Sequence, residues 1–151
     1  PQRFLIVIIN WLPTQCEEGW RAYEDKCYYF STDRKSWDDA RTDYCTSRGA
    51  DLVSIHNMEE ENFLSTHTKG KSKWIGLQHN PIDGGYHWSD ATPVSHTNWG
   101  HGEPNNHEGR EDCVEMVSNS NGTLLTTDLC SPTQVGGQVP CHICFLGSGR
   151  A

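Results

Sequence analysis

The sequence predicts a single α+β domain that is held together by disulfide bonds. Its 151 residues suit one domain with its own hydrophobic core, to which six tryptophans contribute bulk. Seven cysteines in a chain of this length, without the paired CxxC spacing of zinc sites, indicate a disulfide framework. A strand pattern, two helix patterns and then a mixture of loops and strands follow one another, an order typical of α+β proteins.

Charge and hydropathy restrict the partners of the chain. The formal net charge of −8 argues against a nucleic-acid partner, which requires a basic face. No apolar run approaches the roughly 20 residues that span a bilayer, so we expect no membrane span in this chain. The apolar run at residues 4–9 fits either the end of a signal peptide or an edge strand. We therefore divide the chain into an N-terminal segment at residues 1–15, a domain at 16–146 and a tail at 147–151.

The first predicted elements are a strand and a helix. The aromatic run at residues 27–30 follows a turn-like segment and predicts a strand. Ser36 is a good helix N-cap, and the acidic residues that follow it suit the first turn of a helix. Gly49 occupies a C-cap position. Between these ends, apolar residues recur at helical spacing. The inward face comprises Trp37, Ala40, Tyr44 and Cys45.

A second helix and two further strands follow. The helix begins at Asn57, runs through three acidic residues and turns its apolar residues inward. The run at residues 74–77 predicts a buried strand, and residues 113–117 predict another. Between them, the chain up to Asn106 is rich in Gly, Pro, Asn, His and Ser, which predicts a long irregular loop region. The tryptophans within this region indicate that its loops are ordered.

A stretch of this loop region has the chemistry of a calcium site. Calcium takes about six to eight oxygen ligands, mostly from carboxylates and amide carbonyls. Glu103 and Asn105 are two positions apart, so both side chains point the same way in an extended segment. Pro104 between them makes a cis peptide bond accessible, which can aim neighbouring carbonyls at one point. Glu111 and Asp112 add further oxygens a few positions later.

Several segments together resemble the C-type lectin-like domain. They cover roughly residues 16–122 and comprise Cys16-Glu17-Glu18-Gly19-Trp20, the helix from Trp37 to Cys45, Trp74-Ile75-Gly76-Leu77, Asn98-Trp99, Glu103-Pro104-Asn105 and Glu111-Asp112-Cys113. The stretch Gly-Glu-Pro-Asn-Asn at residues 102–106 is most similar to repeats of the macrophage mannose receptor group. The resemblance implies a C-type lectin-like fold with two helices, two small antiparallel sheets and a long irregular loop region.

The resemblance also implies three disulfide bonds. These join Cys16 to Cys27, Cys113 to Cys130, and Cys45 to a cysteine near the C-terminus. Spacing alone does not decide that last partner between Cys141 and Cys144. Ile143-Cys144 is similar to the pair of an apolar residue and a cysteine that closes domains of the family, which favours Cys144.

The resemblance further implies that the loop region binds sugar through Ca²⁺. Glu-Pro-Asn is the mannose-type variant of the family's motif and selects glycans with equatorial 3- and 4-hydroxyls, such as mannose, fucose and N-acetylglucosamine. The sugar-binding residues are then Glu103, Asn105 and Glu111. The same three side chains also contribute ligands to the calcium ion.

The sequence departs from the family pattern at both calcium sites. The family usually has Trp-Asn-Asp before the cysteine that corresponds to Cys130, but residues 124–129 here are Leu-Leu-Thr-Thr-Asp-Leu. Asp128 is then the remaining candidate acid. From Thr123 onward, the chain has Gly and Pro where strands should run. At the family's auxiliary calcium site, Asp83 and Asp112 keep carboxylates, whereas His79 stands where an acid is common. We therefore expect the auxiliary site to be weak or empty.

Calcium-dependent glycan recognition by a secreted or cell-surface receptor domain is the main functional prediction. The sequon at Asn121, a glycosylation site, fits a secretory protein. The altered segment favours an alternative, a domain of the same fold that binds a protein ligand without calcium. A metal or redox enzyme is a third interpretation, because residues 141–144 (Cys-His-Ile-Cys) have CxxC spacing. That stretch lacks a second ligand pair, and no nucleophile has a base and an orienting partner at recognisable spacing, so we expect no catalysis.

Overall fold

A computed structural model describes residues 15–68, 71–80, 82–105, 112–117 and 141–147, and the backbone of residues 124–127. The predicted N-terminal segment lies outside these ranges except for Gln15, and the predicted tail except for Gly147. Four predicted site residues also lie outside the described residues: Glu111, the sequon's Asn121, Asp128 and Cys130. No helix in the described ranges is both long enough and apolar enough to cross a membrane.

The first helix, α1, has the two ends that the sequence predicts. It comprises the consecutive segments Trp37–Asp39, Ala40–Cys45 and Thr46–Arg48, of which the middle one is wound as a π-helix. The Ser36 hydroxyl caps the helix by accepting a hydrogen bond from the Asp39 N–H at 3.2 Å. Gly49 has a φ of 74°, the left-handed conformation that ends a helix without the steric penalty of a Cβ. The predicted inward residues Trp37 and Cys45 are buried.

The second helix, α2, spans Met58–His67 and also begins as predicted. The Asn57 side chain caps it by accepting a hydrogen bond from the Glu60 N–H at 2.7 Å. In return, the Glu60 carboxylate accepts the N–H of the residue before the cap at 2.9 Å, and the Tyr28 hydroxyl at 2.7 Å. Glu60 and Glu61 are both buried, so two acids of the first turn face the protein interior.

The strands are, in chain order, Arg21–Tyr23 (β1), Lys26–Phe30 (β2), Asp51–Leu52 (β3), Lys73–His79 (β4), Tyr86–Trp88 (β5), Cys113–Met116 (β6), Leu124–Thr127 (β7) and Cys141–Leu146 (β8). They are arranged in the order β1-β2-β8-β4-β6-β7, with β3 paired to β8 and β5 paired to β4. Two antiparallel parts, one around β2 and one around β4 and β6, meet at a short parallel pairing between β4 and β8. The predicted α+β architecture with two antiparallel sheets is confirmed, and the parallel junction is an addition to it.

Five of the eight strands in the described ranges were not among the three that the sequence predicted: β1, β3, β5, β7 and β8. β5 interrupts the predicted loop region, because the segment before it forms a turn in which the Asn80 N–H donates to the Gly85 carbonyl at 2.7 Å. β7 and β8 lie in the C-terminal stretch that appeared to lack strands. β8 has no clear apolar pattern, because the buried positions at its start hold Cys141 and His142.

β4 connects the two core clusters of the domain. Its residues alternate between them: Ile75 and Leu77 belong to one cluster, and Trp74 belongs to the other. Gly76 lies where the strand passes closest to its neighbours, since a Cβ at this position would lie 2.9 Å from the Leu52 carbonyl oxygen. The glycine of the Trp-Ile-Gly-Leu stretch is therefore required by packing.

Two disulfide bonds have both of their cysteines within the described residues. Cys16 pairs with Cys27, and Cys45 pairs with Cys144, which confirms the preference for Cys144 over Cys141. Cys141 is buried and is the free cysteine of the described residues. Cys113 is also disulfide-bonded, and its predicted partner, Cys130, lies outside the described residues.

Candidate functional site

The predicted calcium-binding stretch forms a turn at residues 100–105, which follow β5 in the chain. The Glu103 N–H donates to the Gly100 carbonyl at 2.9 Å, and the peptide bond from Glu103 to Pro104 is cis. The Asn105 side-chain amide donates to one Glu103 carboxylate oxygen at 3.0 Å, and the Asn105 backbone N–H lies 3.3 Å from the other. The structure thus brings a carboxylate and a carboxamide side by side, and Asn105 is exposed to solvent.

Asp112 is the described residue among the other acids that were predicted after this turn. Glu111 and Asp128 lie outside the described residues. Asp112 is exposed at the start of β6, where its carbonyl accepts the His79 N–H at 2.7 Å. Its carboxylate lies 3.6 Å from the Nδ1 atom of His79. Asp112 therefore faces a histidine across the sheet edge.

Asp83 is held in the turn between β4 and β5. Its carboxylate accepts the Gly85 N–H at 2.9 Å and lies 3.1 Å from the Nε2 atom of His87. The backbone hydrogen bond from Gly85 and the contact with His87 lower the pKa of this carboxyl below its ordinary value. Asp83 is therefore ionised at neutral pH, but its nearest ionisable partner is an imidazole.

The two carboxylates predicted for an auxiliary calcium site thus contact two different histidines. His79, His87 and Asp112 line an open hollow of about 350 Å³. Calcium prefers several carboxylates among its oxygen ligands, whereas this hollow presents two imidazoles, the amides of Gln78 and Asn80, and one carboxylate. The described residues therefore do not fit calcium at the auxiliary position, and the proposal below concerns the turn at residues 103–105.

Two residues of the long loop bind a buried acid that the sequence analysis did not single out. The Glu61 carboxylate on α2 lies 3.3 Å from the His96 Nε2 atom and accepts the Asn98 side-chain amide at 3.3 Å. Trp99 packs on Tyr86 with the ring centroids 5.1 Å apart. The burial of Glu61 was in principle predictable, because it precedes the inward-facing Leu64 by three positions on α2. Its partners were not predictable, since they lie in a loop without a periodic pattern.

A second network holds the start of the same loop and resembles a catalytic triad only in composition. The Ser54 hydroxyl donates to Asp90 at 2.6 Å, while the His56 Nε2 atom lies 3.0 Å from the same hydroxyl. In a Ser-His-Asp triad the imidazole lies between the hydroxyl and the acid, but here the hydroxyl is in the middle. Ser54 is also buried, so this arrangement serves to fix the loop rather than to attack a substrate.

The CxxC stretch does not form a metal or redox centre. Cys45, His142 and Cys144 are the one group of three metal-ligand side chains that converge within the described ranges. The two sulfurs of this group are joined in a disulfide bond, so neither is a thiolate that could bind a metal ion. Cys141 at the start of the stretch is buried.

These features define a disulfide-linked domain whose long loop presents a carboxylate beside an amide. Residues 33–133 match the family profile of the Lectin C-type domain. Mouse C-type lectin domain family 4 member G is 40% identical over 107 residues, which cover 68% of this chain and 36% of that protein. The mouse low affinity immunoglobulin epsilon Fc receptor is 45% identical over 101 residues, which cover 67% of this chain and 30% of the receptor.

A solved structure of the same kind covers most of the chain. The cow C-type carbohydrate-recognition domain of CD23, determined in the presence of a GlcNAc2Man3 oligosaccharide, superposes with a TM-score of 0.78 at 32% identity. The superposition covers 91% of this chain and 99% of the cow domain. The chain therefore belongs to the C-type lectin domain family. It spans 36% and 30% of the lengths of the two mouse relatives.

Proposed function

We propose that this domain binds glycans of the mannose type through a calcium ion held at residues 103–105. The observation that carries the proposal is the direct contact between the Glu103 carboxylate and the Asn105 amide in an exposed turn. Oxygen atoms of both side chains suit calcium. The family membership and the cow relative determined with an oligosaccharide support the same class of ligand.

In this proposal, Glu103, Asn105, Glu111 and Asp128 supply protein oxygens to the calcium ion. The ion provides a positive centre that two neighbouring sugar hydroxyls can approach with their oxygens. The same hydroxyls donate hydrogen bonds to carboxylate oxygens such as those of Glu103, and they accept a hydrogen bond from the Asn105 amide. Because Glu-Pro-Asn at residues 103–105 resembles the mannose-type motif of the family, we propose glycans with equatorial 3- and 4-hydroxyls.

The domain is expected to be retained on mannose resin in calcium and to elute with chelator or free methyl mannoside. Because one shallow site contacts one sugar, the dissociation constant should be near millimolar, roughly −4 kcal/mol. Calorimetric titration of calcium, with and without methyl mannoside, measures both ligands. Retention that persists in chelator would contradict the role of calcium.

Exchanging the two side chains of the turn is expected to change the preferred sugar. In the double variant Glu103→Gln and Asn105→Asp, the carboxylate and the amide trade places, so hydrogen-bond donors and acceptors toward the hydroxyls are reversed. We expect the preference to shift from mannose toward galactose in a sugar competition panel. Glu59→Gln, an exposed acid on α2, is the control and should leave the panel unchanged. An unaltered panel in the double variant would show that these residues do not touch sugar.

A protein ligand bound without calcium is the second candidate function. The observation that favours it is the loss of Trp-Asn-Asp before Cys130, with β7 in its place. Thr126 and Thr127 pair with Val114 and Cys113 of β6, so this segment extends the sheet beside β6. Calorimetry separates the candidates, because the second one requires no heat of calcium binding. In either case we place the domain outside the cell, where its disulfide bonds are stable.

A further inference from the structure

Glu61 is a buried carboxylate whose partners come from the loop that leads to the proposed sugar site. Its exposed fraction is 3%, although it lies in the first turns of α2. The His96 Nε2 atom and the Asn98 side-chain amide each lie 3.3 Å from one of its two oxygens. A buried carboxylate is costly without such partners, so the helix and the loop are strongly coupled at this point.

The chain between this contact and the proposed site is short, and contacts hold it at Trp99 and Gly100. Trp99 follows Asn98 directly and packs on Tyr86 of β5. Gly100 follows Trp99, and its carbonyl accepts the Glu103 N–H at 2.9 Å. We therefore expect a change in the position of Asn98 to reach the Glu103 backbone through Trp99 and Gly100.

We infer that Glu61 is a positioning residue for the turn at residues 103–105. It touches neither sugar nor calcium, and it acts by fixing the loop from His96 to Asn98 against α2. This inference rests on the proposed function, since it concerns the same site. Glu61 would thus hold the turn in place from a position more than 30 residues before the loop that it contacts.

Glu60 provides a matched control on the same helix. It is buried to the same extent, with an exposed fraction of 3%. Its carboxylate, however, binds the start of α2, the Tyr28 hydroxyl and the Lys26 ammonium group, none of which belongs to the loop. A variant of Glu60 therefore perturbs a buried carboxylate of α2 without releasing the loop.

The test combines amide hydrogen exchange of residues 92–103 with calcium titration of the whole chain. Glu61→Ala is expected to speed exchange of the Glu103 amide and to weaken calcium affinity about 10- to 100-fold, the range found for residues that orient metal ligands. Glu61→Gln keeps an oxygen acceptor for Asn98 and should retain most of the affinity. Glu60→Gln should lower stability without faster loop exchange at residues 96–103. If Glu61→Ala fails to fold, Asn98→Ala removes the same contact from the loop side.

The outcomes separate this inference from the proposed function. Parental calcium affinity in Glu61→Ala or Asn98→Ala overturns the inference, as does an equal loss of affinity in Glu60→Gln. Absence of calcium binding in the parent overturns both the proposed function and the positioning of a calcium site. In that case, the exchange data still decide whether Glu61 anchors the loop.

Discussion

Replacement of both Cys45 and Cys144 by alanine is expected to lower the free energy of unfolding by about 5 kcal/mol. The bridge closes a loop with a sequence separation of 99, so its loss gives the unfolded chain much more conformational freedom. Both cysteines are fully buried, and the bond joins α1 to β8 in the middle of the sheet. Because domains of this size are stable by only about 5–15 kcal/mol, the variant should lose at least about a third of its free energy of unfolding.

The matched comparison is the pair Cys16→Ala and Cys27→Ala. That bridge has a sequence separation of 11 and ties the segment before β1 to β2, so its removal should cost about 3 kcal/mol in the same entropy model. Urea unfolding of both double variants measures the difference. Equal losses would contradict the loop-length argument, and peptide mapping that joins Cys45 to Cys141 in the parent would contradict the pairing itself.

Local signals in the sequence were sufficient to predict both helices. Ser36, Asn57 and Gly49 act at helix ends through side-chain caps or a left-handed backbone, and these effects depend on near neighbours only. The strands were harder to predict. β8 pairs with β2, a segment near the other end of the described chain, and its buried side chains include a histidine and cysteines instead of an unbroken apolar run.

The candidate site was predictable where its residues are close in sequence. The contact between Glu103 and Asn105 follows from their spacing of two positions. The contacts of Glu61 span 35 and 37 positions, and no periodic pattern connects an acid of a helix to an asparagine of a loop. Likewise, the sequence could not show that Asp83 and Asp112 contact different histidines, since this depends on how β4 pairs with β5 and β6.

The buried histidine of β8, His142, is expected to make the stability of the domain depend on pH. The side chain is fully buried on β8, packs edge-on against Tyr44 at 4.6 Å, and neither ring nitrogen has a hydrogen-bond partner among the described residues. Burial, with the nearby charges of Lys35 and Lys73, lowers the pKa of His142 from 6.5 to about 4. The imidazole is therefore neutral in the folded protein at neutral pH.

The free energy of unfolding is expected to fall by about 3 kcal/mol between pH 7 and pH 4 because of this one group, at about 1.4 kcal/mol for each unit of pKa difference. The sign follows from the lowered pKa: the unfolded chain takes up a proton below pH 6.5, whereas the folded protein does so only near pH 4. This stability is present above pH 6.5 and is lost as the pH falls toward 4. Carboxylates add their own acid dependence, so a comparison of variants is needed to isolate the histidine.

His142→Phe preserves a ring against Tyr44 and removes the ionisable nitrogens. At pH 7 it should be at least as stable as the parent, because two unpaired buried nitrogen atoms are replaced by carbon. At pH 4 it should be more stable by about 3 kcal/mol, since only the parent loses the histidine contribution. Urea unfolding at pH 7, 5.5 and 4 in calcium-free buffer measures both, with His101→Ala as an exposed control. Parallel losses in the parent and in His142→Phe would show that His142 does not set the acid sensitivity of the domain.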